Sequence, residues 1–302
     1  MSKQKDILII DNLAAFEKVV NRDQRPYDIN LMVMPGTLED KHKDVDPEIG
    51  IPALRRQFNL LYLILEGEHD VHLGADYFWL KPNDFVIVPE NAVYASTHVR
   101  NCKGYCIHFK TEFIQPLLKG SLAEEFPFFE WEANHVINVT TEESQRIQEA
   151  FQQIIQAHNR FSPEKDYILR NYIHILLLLV REIYRPHNKK LDENATRTMR
   201  LTSQFKHLLE KQFLQTREVK QYAAQLHVTP KYLAEAVKET TGKSPRDLIN
   251  DVLLLECKVQ MGSTNKSITE IAHELQFEDQ AHFSRFFRQH TGLTPTDWRK
   301  KV

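Results

Sequence analysis

The sequence predicts an α+β chain of two domains: a small antiparallel N-terminal β-barrel carrying two helices, and a C-terminal all-α domain of two helix-turn-helix units joined by a linker helix. Three observations predict it. Short apolar runs punctuated by Gly, Pro and Asn-Asp turns at ~8–12-residue spacing fill the front of the chain, the pattern of barrels and sandwiches. Two amphipathic stretches follow them. The back of the chain then repeats itself at an offset of fifty residues. A length of 302 residues also exceeds the ~250–300 at which one core stops growing.

The barrel runs begin at Phe58–Leu65, followed by Glu66-Gly67-Glu68 and Val71–Leu73. A Gly74-Ala75-Asp76 turn leads into Tyr77–Leu80, and Lys81-Pro82-Asn83-Asp84 leads into Phe85–Val88. Pro89-Glu90-Asn91 closes that strand, and Val93–Val99 and Gly104–Phe109 complete the series. An apolar strand, Glu-Gly-Glu, a hairpin, Leu-x-Pro-Asn-Asp and Phe-Val-Ile-Val-Pro in this order resemble a cupin-type small barrel. Thr141–His158 then places Ile147, Phe151, Ile154 and Ile155 on one stripe. Glu164–Tyr184 places Ile168, Tyr172, Ile175, Leu176 and Leu179 on another, and Leu177, Leu178 and Val180 widen it beyond one face. A helix so broadly apolar must bury most of its circumference, which points to a homodimer contact.

The expected boundaries are 1–140 for the barrel, 141–185 for the helical dimerisation segment, 186–197 for a linker and 198–302 for the helical domain. The start is not that of a signal peptide, because Ile7–Ile10 is short and ends at Asp11. The longest apolar run, Ile175–Val180, is far below the ~18–20 residues of a membrane span. Cys102, Cys106 and Cys257 have no zinc-type partners in sequence and predict reduced thiols in a cytoplasmic protein.

A net charge of -2 argues against nucleic acid as a partner only if it is uniform. It is not: residues 198–302 hold 16 Lys+Arg against 12 Asp+Glu, a balance of +4, and the remainder carries -6. Such asymmetry points to nucleic acid on the basic side.

The repeat carries the functional reading. Thr241-Gly242-Lys243-Ser244-Pro245 recurs as Thr291-Gly292-Leu293-Thr294-Pro295, and Leu233 and Val237 map to Phe283 and Phe287. Upstream the offset is forty-nine: Ala223 to Ala272, Leu226 to Leu275 and Val228 to Phe277, so the second turn has one inserted residue. The first unit, about 216–240, has a helix capped by Thr216, a turn at His227-Val228, and a second helix with Thr229 as N-cap, Pro230 at its first position and Gly242 beyond its end. The second unit, about 267–290, opens on the capping box Ser267-Ile268-Thr269-Glu270, and Asp279 caps its second helix, closed by Gly292. Ala223 and Ala272 are small where the helices must cross. A linker helix, about 245–261 and ended by Gly262, spans about 25 Å at ~1.5 Å per residue. With the units' own bodies added, the two second helices come to about one DNA turn apart, ~34 Å.

The segment from Ile271 to Arg299, with Phe283-Ser284-Arg285-Phe286-Phe287-Arg288, Thr291-Gly292, Thr294-Pro295 and Trp298-Arg299, resembles the second half of an AraC/XylS-type DNA-binding domain. The resemblance covers about 198–302 and implies a one-component transcription regulator. Its partners would be promoter DNA, a small-molecule effector in the cupin-like barrel, a second copy of the chain, and RNA polymerase if it activates. No cofactor, catalytic residue or membrane is implied.

By that resemblance Gln280, Ala281, Ser284 and Arg285 face base edges. Arg285 suits guanine and Gln280 suits adenine, the alternative for Arg285 being a phosphate. In the first unit the face is Lys231, Ala234 and Glu235; the family often carries Arg where Glu235 stands, so this unit is expected to position rather than read. Thr229, Lys238, Ser267 and Arg288 are the phosphate candidates. Trp298 and Phe277 read as core, and Cys257 as a small core residue rather than a redox sensor. Gln276 stands where the family prefers Gly. In the barrel, His69-x-x-His72 lacks metal-cupin spacing and Tyr94 stands where a last His would be, so no metal is expected. Tyr62, Trp79, Tyr94, His98 and His108 are the candidates for an effector pocket. Two alternatives are a cupin enzyme with an accessory DNA-binding tail and a ligand-independent regulator whose front domain only dimerises.

Overall fold

The computed structural model describes residues 29–34, 51–55, 58–96, 99–130, 133–264 and 266–301. Eight antiparallel strands form one curled sheet: β1 (Ile29–Met34), β2 (Ile51–Arg55), β3 (Asn59–Leu73), β4 (Asp76–Leu80), β5 (Asp84–Val88), β6 (Val93–Ser96), β7 (Val99–Phe109) and β8 (Val136–Asn138). The main path is β1-β7-β3-β5-β8, with β4 and β6 on the far half of β3 and β2 on β6. The two runs expected at Phe58–Leu65 and Val71–Leu73 are one fifteen-residue strand, continuous through Glu66-Gly67-Glu68. Its register shifts against β7 between Ile64 and Glu68 absorb that segment as irregularity rather than as a turn. Val93–Val99 divides instead into the whole of β6 and the first residue of β7. β1, β2 and β8 were not anticipated.

Period-two alternation decides what each face of the sheet covers. Leu61, Leu63, Phe85, Ile87, Ile107 and Phe109 pack against helices on one side. Leu60, Tyr62, Ile64, Val86 and Val88 pack with Phe58, Val71 and Tyr94 on the other. β3 therefore reads as an unbroken apolar run at its start, because both of its faces are covered.

Two short helices, α1 (Thr111–Ile114) and α2 (Leu122–Glu125), lead to α3 (Thr141–His158) and α4 (Lys165–Asn194). Thr140 and Glu143 form a capping box at the start of α3. Its expected stripe is found, with Ile147, Phe151 and Ile154 fully buried. The stripe assigned to the next helix is found only in part: Leu176 is buried, and Tyr172 and Leu179 pack against the core. Leu169, Ile173, Leu176, Leu177 and Val180 face the core, whereas Ile168 and Ile175 are exposed. A helix apolar around most of its circumference does not disclose from sequence which side meets its neighbour. α4 also runs ten residues past Tyr184, through Pro186 to Asn194, so most of the 186–197 stretch expected as a linker is helical.

The C-terminal domain holds α5 (Arg197–Gln212), α6 (Val219–Gln225), α7 (Pro230–Thr241), α8 (Pro245–Ser263), α9 (Ile268–Glu274), α10 (Gln280–Thr291) and α11 (Pro295–Lys301). α8 is the strut. Leu248, Ile249 and Val252 join a core with α5, α6 and α7, and Leu253, Cys257 and Met261 join a second core with α9, α10 and Trp298. Leu255 and Val259 pack against Ala53, Val93 and Ala95 of the sheet. α8 passes Gly262 and ends at Ser263 with Thr264 as its cap, not at the glycine. No described helix is long and apolar enough to cross a membrane.

Candidate nucleic-acid interface

The repeat in sequence is a repeat in hydrogen bonds. In α6–α7, His227 adopts φ +56° and Val228 N–H returns to the Ala223 carbonyl at 3.0 Å. In α9–α10, Gln276 adopts φ +55° and Phe277 N–H returns to the Ala272 carbonyl at 2.9 Å. The left-handed residue at this point explains why glycine is favoured where Gln276 stands. Thr229 Oγ1 accepts from Tyr232 N–H at 3.2 Å, and Asp279 Oδ1 accepts from His282 N–H at 2.6 Å. Both second helices end on a glycine in the left-handed region, Gly242 at φ +72° and Gly292 at φ +75°. Thr241 and Thr291 repeat the same bonds to the carbonyl four residues back, at 2.7 and 2.8 Å.

One expected cap is displaced. α6 begins at Val219 with Glu218 as N-cap, and Glu218 makes no side-chain cap bond. Thr216 instead accepts from Glu218 N–H at 3.3 Å, while its carbonyl accepts from the buried Tyr222 hydroxyl at 2.9 Å. Burial pushes that phenol up to about 12. The Ser267–Glu270 box stands as expected, and hydrogen bonds from Ser267 hold the Glu270 carboxyl below the usual carboxylate range.

Packing decides which helix faces are exposed. Phe283 and Phe287 are fully buried; Phe277 meets Phe283 edge-on at 5.2 Å, and Trp298 meets Phe287 edge-on at 5.9 Å. Phe277 and Trp298 are thus core residues, and Phe286 is half-buried. The opposite side of α10 leaves Gln280, Ala281, Arg285 and Arg288 exposed, with Ser284 half-buried. Thr269 Oγ1 donates to Gln280 Oε1 at 2.8 Å, a bond between α9 and α10 that no spacing rule announced. Among the described residues no carboxylate pairs with Arg285. On α7, Lys231 lies 4.0 Å from Glu235, both exposed, with Ala234 half-buried between them. Thr229, Lys238 and Ser267 are also exposed.

Sequence reasoning missed α5 and Arg217. α5 supplies Leu201, Phe205 and Leu209 to the first core. Arg217 lies 4.6 Å over the Phe277 ring and donates to the Leu275 carbonyl, so a residue just ahead of α6 in the first unit grips the turn of the second. Phe213 packs against both cores. Burial lowers the Arg217 pKa, and a cation–π contact needs tertiary neighbours that a local pattern cannot show.

The candidates for an effector pocket differ in exposure. Tyr62, Tyr94 and His108 are buried, and Tyr94 Oη lies 3.2 Å from His69 Nε2. Trp79 is 50% exposed, because alternation along β4 turns its neighbour Phe78 toward the core instead. His98 lies outside the described residues. Cys102, Cys106 and Cys257 are buried thiols outside any disulfide, and burial pushes the Cys257 thiol up, away from the reactive thiolate.

Residues 222–301 match the family described as a helix-turn-helix domain. An uncharacterised helix-turn-helix regulator of Bacillus subtilis, YobQ, is 32% identical over 84 residues, which is 28% of this chain and 35% of that protein. The transcriptional activator RhaS of Klebsiella pneumoniae is 30% identical over 125 residues, 41% of this chain and 43% of that one. The chain thus spans a third to less than half of the length of these curated relatives. Among solved structures, ToxT of Vibrio cholerae bound to an unsaturated fatty acid aligns over 83% of this chain and 90% of its own, at 13% identity and a TM-score of 0.38.

Proposed function

We propose that this chain, whose residues 222–301 form a helix-turn-helix domain of the AraC type, is a cytoplasmic, sequence-specific DNA-binding transcription regulator. The observation that carries the reading is the doubled cap–turn–cap unit on either end of α8, each unit presenting a polar face opposite its core. Gln280, Ala281, Ser284 and Arg285 are the base-facing set of the second unit, and Lys231, Ala234 and Glu235 that of the first. Thr229, Lys238, Ser267 and Arg288 meet phosphates and fix register without reading sequence. Selection of genomic fragments on the purified chain tests this. Enrichment of discrete promoter sites is expected, and equal retention of all fragments overturns it.

The chain works as a homodimer through α4. Ile168, Ile175 and Leu178 are exposed at heptad spacing, with Asn171 between them. Ile175→Glu is expected to convert the dimer to a monomer in sedimentation, and an unchanged mass overturns this contact. The cupin-like half acts as a sensor rather than an enzyme, and stoichiometric iron, manganese or zinc in the purified protein would reverse that. One observation favours the ligand-independent reading for the barrel interior itself, since Tyr62 and Tyr94 are packed into its core. RNA polymerase is a partner where the output is activation.

A further inference from the structure

The curled sheet and the helical domain meet along a seam built from three kinds of contact. Ala53 on β2, with Val93 and Ala95 on β6, packs against Leu255 and Val259 of α8. Two ion pairs cross it: Arg55–Glu256 at 2.7 Å, and Asp76–Lys206. Between them the Gly74-Ala75-Asp76 turn presses on α5, where Ala75 N–H donates to Glu210 Oε1 at 3.2 Å. A Cβ on Gly74 would meet that carboxyl group, and the φ of +55° is one that L side chains rarely adopt, so the turn favours glycine. A cavity of about 240 Å³ opens on the seam, with Glu210, Arg55, Glu256 and Phe213 among its walls.

We propose that this seam is a proton-controlled latch, tightened when the Glu210 carboxyl is protonated and loosened when it ionises, setting how firmly the barrel holds the helix that joins the two DNA-facing units. The charges around Glu210 explain why this group is the sensitive one. Arg55 on β2 is matched by Glu256 on α8, and Asp76 in the turn is matched by Lys206 on α5. Lys211 is exposed, and His207 shares the cavity wall. Among the described residues Glu210 belongs to no ion pair, and its acceptor role toward Ala75 is kept in either protonation state.

Burial pushes Glu210 up to about 7; the Ala75 hydrogen bond, Lys206 and Arg55 pull it down, and Asp76 raises it. Freed from the seam, the group returns to the ordinary carboxylate range near 4.5. An acid with a raised pKa in the docked state favours docking fully below its undocked value, and that advantage is lost as pH rises through about 7. His72 on β3, beside Lys258 of α8, works in the opposite direction. Burial holds it below its usual range, so docking opposes its protonation at low pH.

Hydrogen exchange at the Ala75 amide of the full chain, corrected for intrinsic rates, reports the latch directly. Between pH 6 and pH 8 the wild type is expected to lose roughly tenfold more protection than Glu210→Gln, whose amide oxygen keeps the acceptor but cannot ionise. His72 is the same in both chains, so its contribution cancels. Equal losses in the two chains overturn the proposal. Should Glu210→Gln fail to fold, carbon-detected titration of the Glu210 carboxyl in the wild type decides: a midpoint near 7 supports the latch and one near 4.5 overturns it. Neither measurement uses DNA, so the latch and the DNA-binding reading fail separately.

Discussion

The two helical units share a backbone plan and differ in what they offer to solvent. Both carry a left-handed residue in the turn, a bond back to a buried alanine carbonyl, an N-cap and a glycine stop. In the first, the one cation on the leading face is answered by its own Glu235 four residues on. In the second, Arg285 has no such partner among the described residues, and Thr269 holds Gln280 by its carbonyl oxygen. A duplicated scaffold thus carries two different exposed faces, because caps and cores are set by backbone needs while the exposed face is free of them.

The largest expected effect tests whether the two cores are separable. Phe283→Ala empties the centre of the second core and should cost about 3–5 kcal/mol in denaturant unfolding. Leu233→Ala in the first should cost about 2–5 kcal/mol. Because Phe213 and Arg217 touch both units, each variant should still unfold in one transition; two transitions in either would show independent units.

The next effect separates reading from positioning. Arg285→Ala should lose about 1–3 kcal/mol on the selected site and relax specificity at one base pair. Lys231→Ala should weaken all sequences alike and by less, since Glu235 already offsets that charge. Equal, sequence-independent losses from both variants would erase the distinction between the units.

Caps supply a smaller contrast. Asp279→Ala and Thr229→Ala should each destabilise by about 0.5–2 kcal/mol, with Asp279 the costlier because an ionised acceptor at a helix N-terminus adds a charge–dipole attraction. The smallest change is a gain. Gln276→Gly removes a side chain from a left-handed position and should stabilise by up to about 1 kcal/mol in thermal unfolding, as should His227→Gly. A loss at either position would mean that its side chain contributes more to the turn than its backbone strain costs.

Much of the helical domain was legible for a local reason. N-caps at Thr229, Ser267 and Asp279 and stops at Gly242 and Gly292 are interactions within a few residues, and their chemistry is written at the positions where they act. The exposed set on α10 followed from helical period once Phe283 and Phe287 were taken as core. α5 escaped notice because its apolar positions carry no strong cap signal apart from Thr196, which lay in a stretch expected as linker. The exposure of Trp79 was not legible, because an aromatic residue on an edge strand looks the same in sequence whichever way its strand faces.

The sequence by itself determined the two-domain division, the duplicated unit, its caps and turns, and which side of α10 faces away from the core, since all of these rest on composition, period and bonds between near neighbours. Tertiary structure alone decided which face of α4 is buried, that Arg217 clamps the far turn, and that the curled sheet rests on α8 through Arg55 and on α5 through the Gly74 turn and Glu210. Those contacts join residues from fifty-eight to two hundred and one positions apart, and their energy comes from burial and desolvation that exist only once the chain has brought them together.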